Sequence, residues 1–240
     1  MKLATHTVVG FPDLATSLKI AEILAAHSAI VELQIPFSDP VADGPTITAA
    51  NAVALGQKVT PPKCFAFAAQ LSKKFPATDF FLMTYFNTIL HFGLEKFAVA
   101  ARQAGVRGFV VPDLPVEEAG ELLAICRENK LDLIFVVAPN TPDERLKLIA
   151  QKSTGWIYAT ARLGITGSAT EFGKDLTKFL TRIRQFSQAE IGVGFGVKSK
   201  SDLQKIQKAG GQIGIVGSEL FRQFAKGGVK QLEQFLKSLR

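Results

Sequence analysis

Cysteine, histidine and charge are all scarce in this sequence. Its 240 residues include only two cysteines and three histidines, and charged residues make up 20%. Neither Cys64 nor Cys126 belongs to a CxxC pair, so a disulfide framework or a zinc site is unsupported and both are expected to be small buried side chains. A nucleophilic cysteine would need a partner histidine, and His6, His27 and His91 lie in no recognisable motif.

Long hydrophobic runs are absent as well. None approaches the roughly 18 residues that a membrane helix requires. Residues 1–10 have neither the charge pattern nor the small-residue cleavage site of a signal peptide. We therefore expect a cytoplasmic protein.

The shortage of charge accompanies an apolar content of 47%. Soluble domains usually have about 25% charged residues, and strands that are buried on both faces would explain the deficit. The net charge is +7, but the basic residues are scattered along helical segments rather than concentrated in a stripe with aromatic residues. Nucleic-acid binding is therefore not indicated, whereas attraction of a phosphorylated substrate and plain solubility are both compatible with this charge.

Apolar runs alternate with amphipathic stretches eight times along the chain, which indicates parallel β–α units. The predicted strands are 3–9, 29–33, 80–84, 107–111, 131–137, 156–160, 191–195 and 212–216. The helix after the fourth strand is predicted to begin near Val116. Eight units in about 250 residues are typical of a closed (β/α)8 TIM barrel, so we predict one α/β barrel over residues 1–240, with an open doubly wound sheet as the alternative.

Glu32 is the most unusual residue of the predicted strands. It stands between Val31 and Leu33 in an apolar strand, where a carboxylate is costly unless it is paired or used. In such barrels the active site lies at the carboxyl ends of the strands, and a buried carboxyl group there suits general acid–base catalysis. The alternative is a structural Glu paired with a Lys or Arg from another strand.

Two loops at the predicted strand ends also contain polar residues. Asp39 and Asp43 are flanked by Pro and Gly, which by itself favours turn or helix-capping roles. The segment 161–168 contains two glycines and a threonine with no apolar periodicity, so it is either a mobile loop over a substrate or a plain connector.

The last two predicted strands end in glycine-rich turns. Gly196 follows the seventh strand, and Gly217 and Ser218 follow the eighth. Barrels often bind phosphate at these two loops, at the N-terminus of a short extra helix. We therefore predict a phosphate site here; no Walker-type Lys follows these glycines at the required spacing.

These residues belong to segments that resemble a known family. Residues 32–46 read ELQIPFSDPVADGPT, which resembles the signature segment of the tryptophan synthase α subunit. The resemblance continues in the family's order through LMTYFN (82–87), VPDLPVEE (111–118), RLGITG (162–167), GFG (194–196) and GS (217–218). It covers almost the whole chain and implies a TIM barrel that cleaves indole-3-glycerol phosphate to indole and glyceraldehyde 3-phosphate in tryptophan biosynthesis.

The resemblance also implies a role for each matching position. Glu32 and Asp43 match the family's catalytic pair. The positions implied for substrate binding are Tyr85, Asn51, Thr166, Gly167, Gly196, Gly217 and Ser218, with Thr166 bonding Asp43 when its loop closes. Asp39 and Pro40 match positions that face the β subunit, so the expected assembly is an α2β2 complex. No metal or organic cofactor is expected in this chain, and pyridoxal phosphate is expected in the β subunit.

Carboxyl groups fit the chemistry of that reaction. Indole is a poor carbanion leaving group, so C3 must be protonated before the carbon–carbon bond breaks, and Glu32 could supply the proton. Asp43 could stabilise the positive charge that develops at the indole N1–H, and the Glu32 carboxylate could then take the proton of the neighbouring glycerol hydroxyl. Two carboxyl groups in different environments can hold different protonation states at one pH.

Three departures from the family pattern stand out. Gln34 replaces the usual Gly, and because residues two apart share a strand face, we expect it to narrow the pocket or to bond Glu32; on that hypothesis Gln34→Gly raises kcat. Thr88 follows Asn87 where the family has Pro. The usual N-terminal helix below the barrel is not found ahead of the first strand.

Other functions remain open on the sequence alone. One is a stand-alone lyase that releases indole. A second is a catalytically weak barrel that mainly activates the β subunit, an alternative kept open by Gln34. A third is an isomerase of phosphorylated sugars on the same fold, against which the PFSDP segment at 36–40 argues.

Overall fold

The computed structural model describes residues 1–161, 174–194 and 196–240. The described strands are β1 (Lys2–Val8), β2 (Ile30–Gln34), β3 (Asp79–Met83), β4 (Gly108–Val110), β5 (Asp132–Ile134), β6 (Val136–Val137), β7 (Ile157–Thr160), β8 (Ile191–Gly194) and β9 (Ile213–Val216). The described helices are α1 (Leu14–His27), α2 (Pro45–Gly56), α3 (Pro61–Lys74), α4 (Phe86–Phe92), α5 (Leu94–Gln103), α6 (Gly120–Glu128), α7 (Asp143–Lys152), α8 (Lys174–Phe186), α9 (Lys200–Lys208) and α10 (Ser218–Ser238).

The strands form one parallel sheet in the order β5-β4-β3-β2-β1-β9-β8-β7-β6. Its two ends, β5 and β6, are consecutive in sequence and are separated only by Phe135. The Phe135 carbonyl accepts a hydrogen bond of 3.0 Å from Tyr158 N, so the sheet continues around this break. The nine segments therefore make an eight-stranded barrel, as predicted, with the fifth strand interrupted once.

Because side chains alternate along each strand, the apolar core has two parts, one between the strands and the helices and one inside the barrel. In β2, Val31 and Leu33 pack outward against the helices, whereas Ile30 faces the barrel interior. The interior cluster also contains Phe81 and Trp156, whose rings meet edge to face at 6.0 Å. Because side chains alternate along a strand, this arrangement directs Glu32 and Gln34 inward, and both are buried.

Two features of the helices differ from those predicted. The helix after β4 begins at Gly120 rather than near Val116, because turn hydrogen bonds to the carbonyls of Val111 and Pro115 occupy the intervening segment. The short helix α4 was not predicted. The C-terminal helix begins at Ser218 and is kinked at Gly227 and Gly228, which have non-helical dihedral angles.

Both cysteines are free and buried, as expected, and burial raises the pKa of the Cys126 thiol to about 12. Among the helices in the described part of the chain, none is long and apolar enough to cross a membrane.

Candidate active site

A cavity opens at the carboxyl ends of the barrel strands. It combines titratable side chains with an apolar wall and with glycines from the last two strand ends. The lining residues are His6, Glu32, Ala42, Asp43, Ile47, Met83, Val110, Pro112, Val136, Tyr158, Gly196, Val197, Ile215, Gly217 and Ser218. This is the end of the barrel at which such enzymes carry their active sites.

Glu32 enters the cavity from β2 and is only 2% exposed. Its Oε2 lies 3.2 Å from His6 Nδ1, while its Oε1 has no hydrogen-bond partner among the described residues. The partner of this buried carboxyl group is therefore a histidine from the adjacent strand, not the Lys or Arg considered from the sequence. A buried carboxyl oxygen without a partner is costly, and its place in the wall of the cavity leaves it available to a ligand.

Asp43 reaches the same cavity from the loop between β2 and α2. Its main-chain N–H donates to Pro40 O in a turn, but its side chain is buried and is not used for capping. Its Oδ2 accepts hydrogen bonds from Gln34 Nε2 at 2.7 Å and from Tyr85 Oη at 2.9 Å. Burial raises the pKa of Asp43 above its ordinary value, although His6 and these two hydrogen bonds act in the opposite direction.

His6 is a site residue that the sequence did not reveal, because no motif surrounds it. It lies on β1 directly opposite Glu32 in the parallel pairing of β1 with β2. Burial by itself lowers the pKa of His6, but the hydrogen bond and charge of Glu32, with smaller contributions from Asp43 and Gln34, raise it above the ordinary value.

Gln34 has the expected orientation but not the expected partner. Its side chain is buried on the interior face, yet it bonds His6 Nε2 at 2.8 Å and Asp43 at 2.7 Å rather than Glu32. The hypothesis that its amide acts directly on the Glu32 carboxylate is therefore wrong, because the His6 ring lies between the two side chains. Gln34→Gly is therefore no longer expected to raise kcat through the pKa of Glu32.

Tyr158 is a second residue that sequence reasoning missed. It projects from β7 into the cavity, and burial, followed by the charges of Glu32 and Asp43, raises the pKa of its hydroxyl well above the ordinary value. The hydroxyl is therefore a neutral polar group in the wall. Strand alternation could have found it, because Tyr158 shares its face with Trp156 of the interior core.

Tyr85 and Asn51 are not part of the cavity wall. Tyr85 is fully buried behind Asp43, with its ring stacked on Phe37 at 5.1 Å and its hydroxyl accepting from Ala42 N. Asn51 accepts from Phe37 N at 3.0 Å and donates to Ile47 O at 2.9 Å. Both side chains therefore hold the loop that carries Asp43, and the substrate contacts expected of them from the sequence stay predictions.

The glycine turns lie on one side of the cavity. Gly196 has a φ of 94°, a left-handed conformation that favours glycine. Gly217 caps α10, whose first residue is Ser218, so the positive end of a helix faces the cavity. Exposed N–H groups at a helix N-terminus form a ready anion site.

Four further predicted residues do not line the cavity as the structure describes it. Thr166 and Gly167 lie outside the described residues. Asp39 is exposed, whereas Pro40 is buried within the chain, so of these two only Asp39 presents its side chain to solvent. Across residues 1–161, 174–194 and 196–240, no three His, Cys, Asp or Glu side chains gather closely enough to hold a metal ion.

Comparison with known proteins gives a consistent result over the whole chain. The family model described as "Tryptophan synthase alpha chain" matches residues 1–239. A tryptophan synthase alpha chain of Syntrophotalea carbinolica is 41% identical over 239 residues, which is 99% of this chain and 94% of the relative.

Solved structures agree with this similarity. A Mycobacterium tuberculosis tryptophan synthase chain superposes with a TM-score of 0.92 and 32% identity, covering 99% of this chain and 90% of that one. A chain of the Pyrococcus furiosus tryptophan synthase a2b2 complex has a TM-score of 0.90 and 34% identity, covering 99% and 96%.

Proposed function

The chain belongs to the tryptophan synthase alpha chain family, and we propose that Glu32 and Asp43 are the catalytic residues with which it performs that family's reaction. The chain is a carbon–carbon lyase of tryptophan biosynthesis, and its reaction is the cleavage of indole-3-glycerol phosphate to indole and glyceraldehyde 3-phosphate. The observation that carries the assignment of residues is the buried Glu32, whose Oε1 lacks a partner in a cavity shared with Asp43.

Glu32 is the acid and then the base. It protonates indole C3, which turns the indole into a leaving group that departs without a carbanion. The resulting carboxylate takes the proton of the glycerol hydroxyl as the carbon–carbon bond breaks and a carbonyl forms. One carboxyl group thus gives and regains one proton, and its burial excludes water that would otherwise compete.

Asp43 acts on the other side of the indole. As a carboxylate it stabilises the positive charge that protonation of C3 places on the N1–H group. The hydrogen bonds from Gln34 and Tyr85 both end on Oδ2, which leaves Oδ1 for this contact.

The phosphate group of the substrate binds at Gly196, Gly217 and Ser218. The N-terminus of α10 supplies main-chain N–H groups and a positive dipole. Thr166 and Gly167, which precede α8 in the sequence, are proposed to complete the site. The apolar residues Val110, Val136 and Ile215 in the wall are suited to the indole ring.

The chain is proposed to work in an α2β2 complex with a tryptophan synthase β subunit that holds pyridoxal phosphate. The related Pyrococcus furiosus protein was solved in an a2b2 complex. The loop next to Asp43 exposes Asp39 and also Val41, which is 72% exposed. An apolar side chain this exposed next to the site suits an interface that communicates with it.

Indole release from indole-3-glycerol phosphate, measured with and without a β subunit, tests the function. Release that the β subunit accelerates supports a lyase subunit, and equal release in both cases indicates a stand-alone lyase. No release, together with activation of the β subunit, would instead identify a barrel that acts only as an activator.

Asp43→Asn should lower kcat, but by less than loss of Glu32, because Asp43 stabilises charge and transfers no proton. Removing one electrostatic stabiliser typically costs about 10²–10³-fold in kcat. The matched control is Asp79→Asn, which neutralises an exposed aspartate at the start of β3. A loss equal to or larger than that of the Glu32 variant would contradict this division of roles.

Tyr85→Phe should move the acid limb of the pH–rate profile to higher pH. Asp43 works as a carboxylate, so activity falls as the pH drops through its pKa. The Tyr85 hydrogen bond holds that pKa down against burial, and its removal therefore raises the pKa further. Phe37→Leu is the control, since it alters packing on the same ring and leaves the hydrogen bond to Asp43 in place. An acid limb at the same pH in the wild-type protein, in Tyr85→Phe and in Phe37→Leu would refute this effect.

A further inference from the structure

A continuous series of hydrogen bonds joins the two carboxyl groups of the cavity. It runs from Glu32 Oε2 to His6 Nδ1 at 3.2 Å, from His6 Nε2 to Gln34 Oε1 at 2.8 Å, and from Gln34 Nε2 to Asp43 Oδ2 at 2.7 Å. The residues His6, Glu32 and Gln34 are only 5%, 2% and 0% exposed, so little of this series of hydrogen bonds is open to bulk water.

The direction of each hydrogen bond follows from the chemistry of its partners. An ionised Asp43 can only accept, so the Gln34 amide must turn its NH2 group toward Asp43 and its oxygen toward His6. An amide oxygen can only accept as well, so His6 Nε2 must carry a hydrogen. Gln34 therefore selects the imidazole tautomer that is protonated at Nε2 and leaves Nδ1 as the atom that titrates.

The contact between His6 Nδ1 and Glu32 Oε2 then needs one proton. Two bare lone pairs would repel each other, so the proton lies either on the imidazole, with Glu32 ionised, or on Glu32, with the imidazole neutral. This is a proton that the proposed lyase reaction must deliver to its substrate.

We propose that His6 is a positioning residue that stores the catalytic proton for Glu32, with Gln34 holding the imidazole in the tautomer that allows the transfer. The proposal rests on the function proposed for Glu32. The proton passes from Nδ1 to the Glu32 carboxyl group, which turns about its Cγ–Cδ bond and gives the proton to indole C3. The Glu32 carboxylate then takes the glycerol hydroxyl proton and turns back toward His6. The His6–Glu32 pair therefore holds as many protons after the reaction as before it.

The surroundings of His6 favour this storage. Glu32 and Gln34 face it from β2 and Asp43 from the following loop, while the Tyr158 hydroxyl on β7 is close enough to feel the charges of both carboxylates. From α10 the apolar ring of Phe221 lies 6.2 Å away, next to Phe11. The raised pKa of His6 keeps the shared proton on the pair at pH values where an ordinary histidine would be neutral.

Nitrogen NMR of the imidazoles tests the proton directly and needs no substrate. The chain has three histidines, so spectra of 15N-labelled protein are simple, and the exposed His91 is an internal control. Nε2 of His6 should stay protonated throughout a titration, and Nδ1 should lose its proton above the ordinary histidine range. In Glu32→Gln the midpoint should fall, and in Gln34→Leu the neutral ring should become a mixture of tautomers. A His6 that titrates like His91, or one that is neutral with hydrogen on Nδ1, would overturn the proposal.

The pH–rate profile tests the catalytic part. His6→Phe and His6→Gln should each lower kcat, toward about 10²-fold, the lower end of the range for acid–base groups, with a smaller change in KM. Both should also move the alkaline limb to lower pH, because they remove the imidazole whose raised pKa keeps the shared proton on the pair. His91→Gln is the control and should leave the profile unchanged.

Each result has a separate meaning. An unmoved alkaline limb in both His6 variants, with circular dichroism showing that they are folded, would refute the storage role even if kcat fell. Absence of indole release from the wild-type protein would refute the proposed function, while the NMR titration would still decide whether His6 and Glu32 share a proton.

Discussion

Glu32→Gln should release indole about 10²–10⁴-fold more slowly than the wild-type protein, which is the range by which a general acid–base group accelerates a reaction. The amide has the shape of the carboxyl group but can neither protonate C3 nor accept the hydroxyl proton. The amide can still contact His6, so the barrel should remain folded. Steady-state indole release and thermal unfolding, measured on the same preparation, separate a loss of proton transfer from a loss of folding.

Glu190→Gln is the matched control for this variant. Glu190 carries the same side chain, but it is partly exposed and pairs with Lys2 at 2.6 Å, away from the cavity lining. Exposed ion pairs contribute at most about 1 kcal/mol, so activity should be unchanged. Turnover by Glu32→Gln close to that of the wild-type protein would remove Glu32 from the mechanism.

Gly217→Val should abolish saturation with substrate, or raise KM strongly, while the chain still folds. A Cβ atom at Gly217 would have its nearest neighbours, His6 Cβ and Ile47 Cδ1, at 4.0 Å, so the protein without ligand has room for it. The added side chain would occupy space beside the N-terminus of α10, where the phosphate is proposed to bind. We expect affinity for glycerol 3-phosphate to fall at least about tenfold, or about 1.4 kcal/mol, by calorimetry.

Gly120→Val provides the comparison. Gly120 is exposed at the start of α6, a Cβ atom there meets nothing within 4 Å, and the residue does not line the cavity. Gly120→Val is therefore the same substitution, made away from the proposed anion site. Equal affinity for glycerol 3-phosphate in the Gly217 variant and in this control would place the phosphate elsewhere.

Local sequence patterns predicted much of the fold because they reflect how each segment is buried. Eight apolar runs predicted the eight strands of the barrel, and the period of two along β2 correctly directed Glu32 and Gln34 to one face. The glycines after β8 and β9 could be placed at one end of the barrel because the carboxyl ends of parallel strands share an edge. The start of α6 was missed because Glu117 and Glu118 resemble a helix start, whereas Pro115 and its turn delay the helix to Gly120.

The composition, the strand pattern and the segment 32–46 by themselves determined the class of fold, the family and the candidate carboxyl groups, because these features lie within short stretches of chain. Only the tertiary structure decided which side chains meet. Parallel pairing of β1 with β2 sets His6 opposite Glu32 across 26 positions of sequence, and the same barrel brings Tyr158 toward both carboxylates. The partner of a buried charge is decided by which strands pair and by their stagger in the closed barrel, and these strands are distant in sequence, so no single local pattern contains that partner.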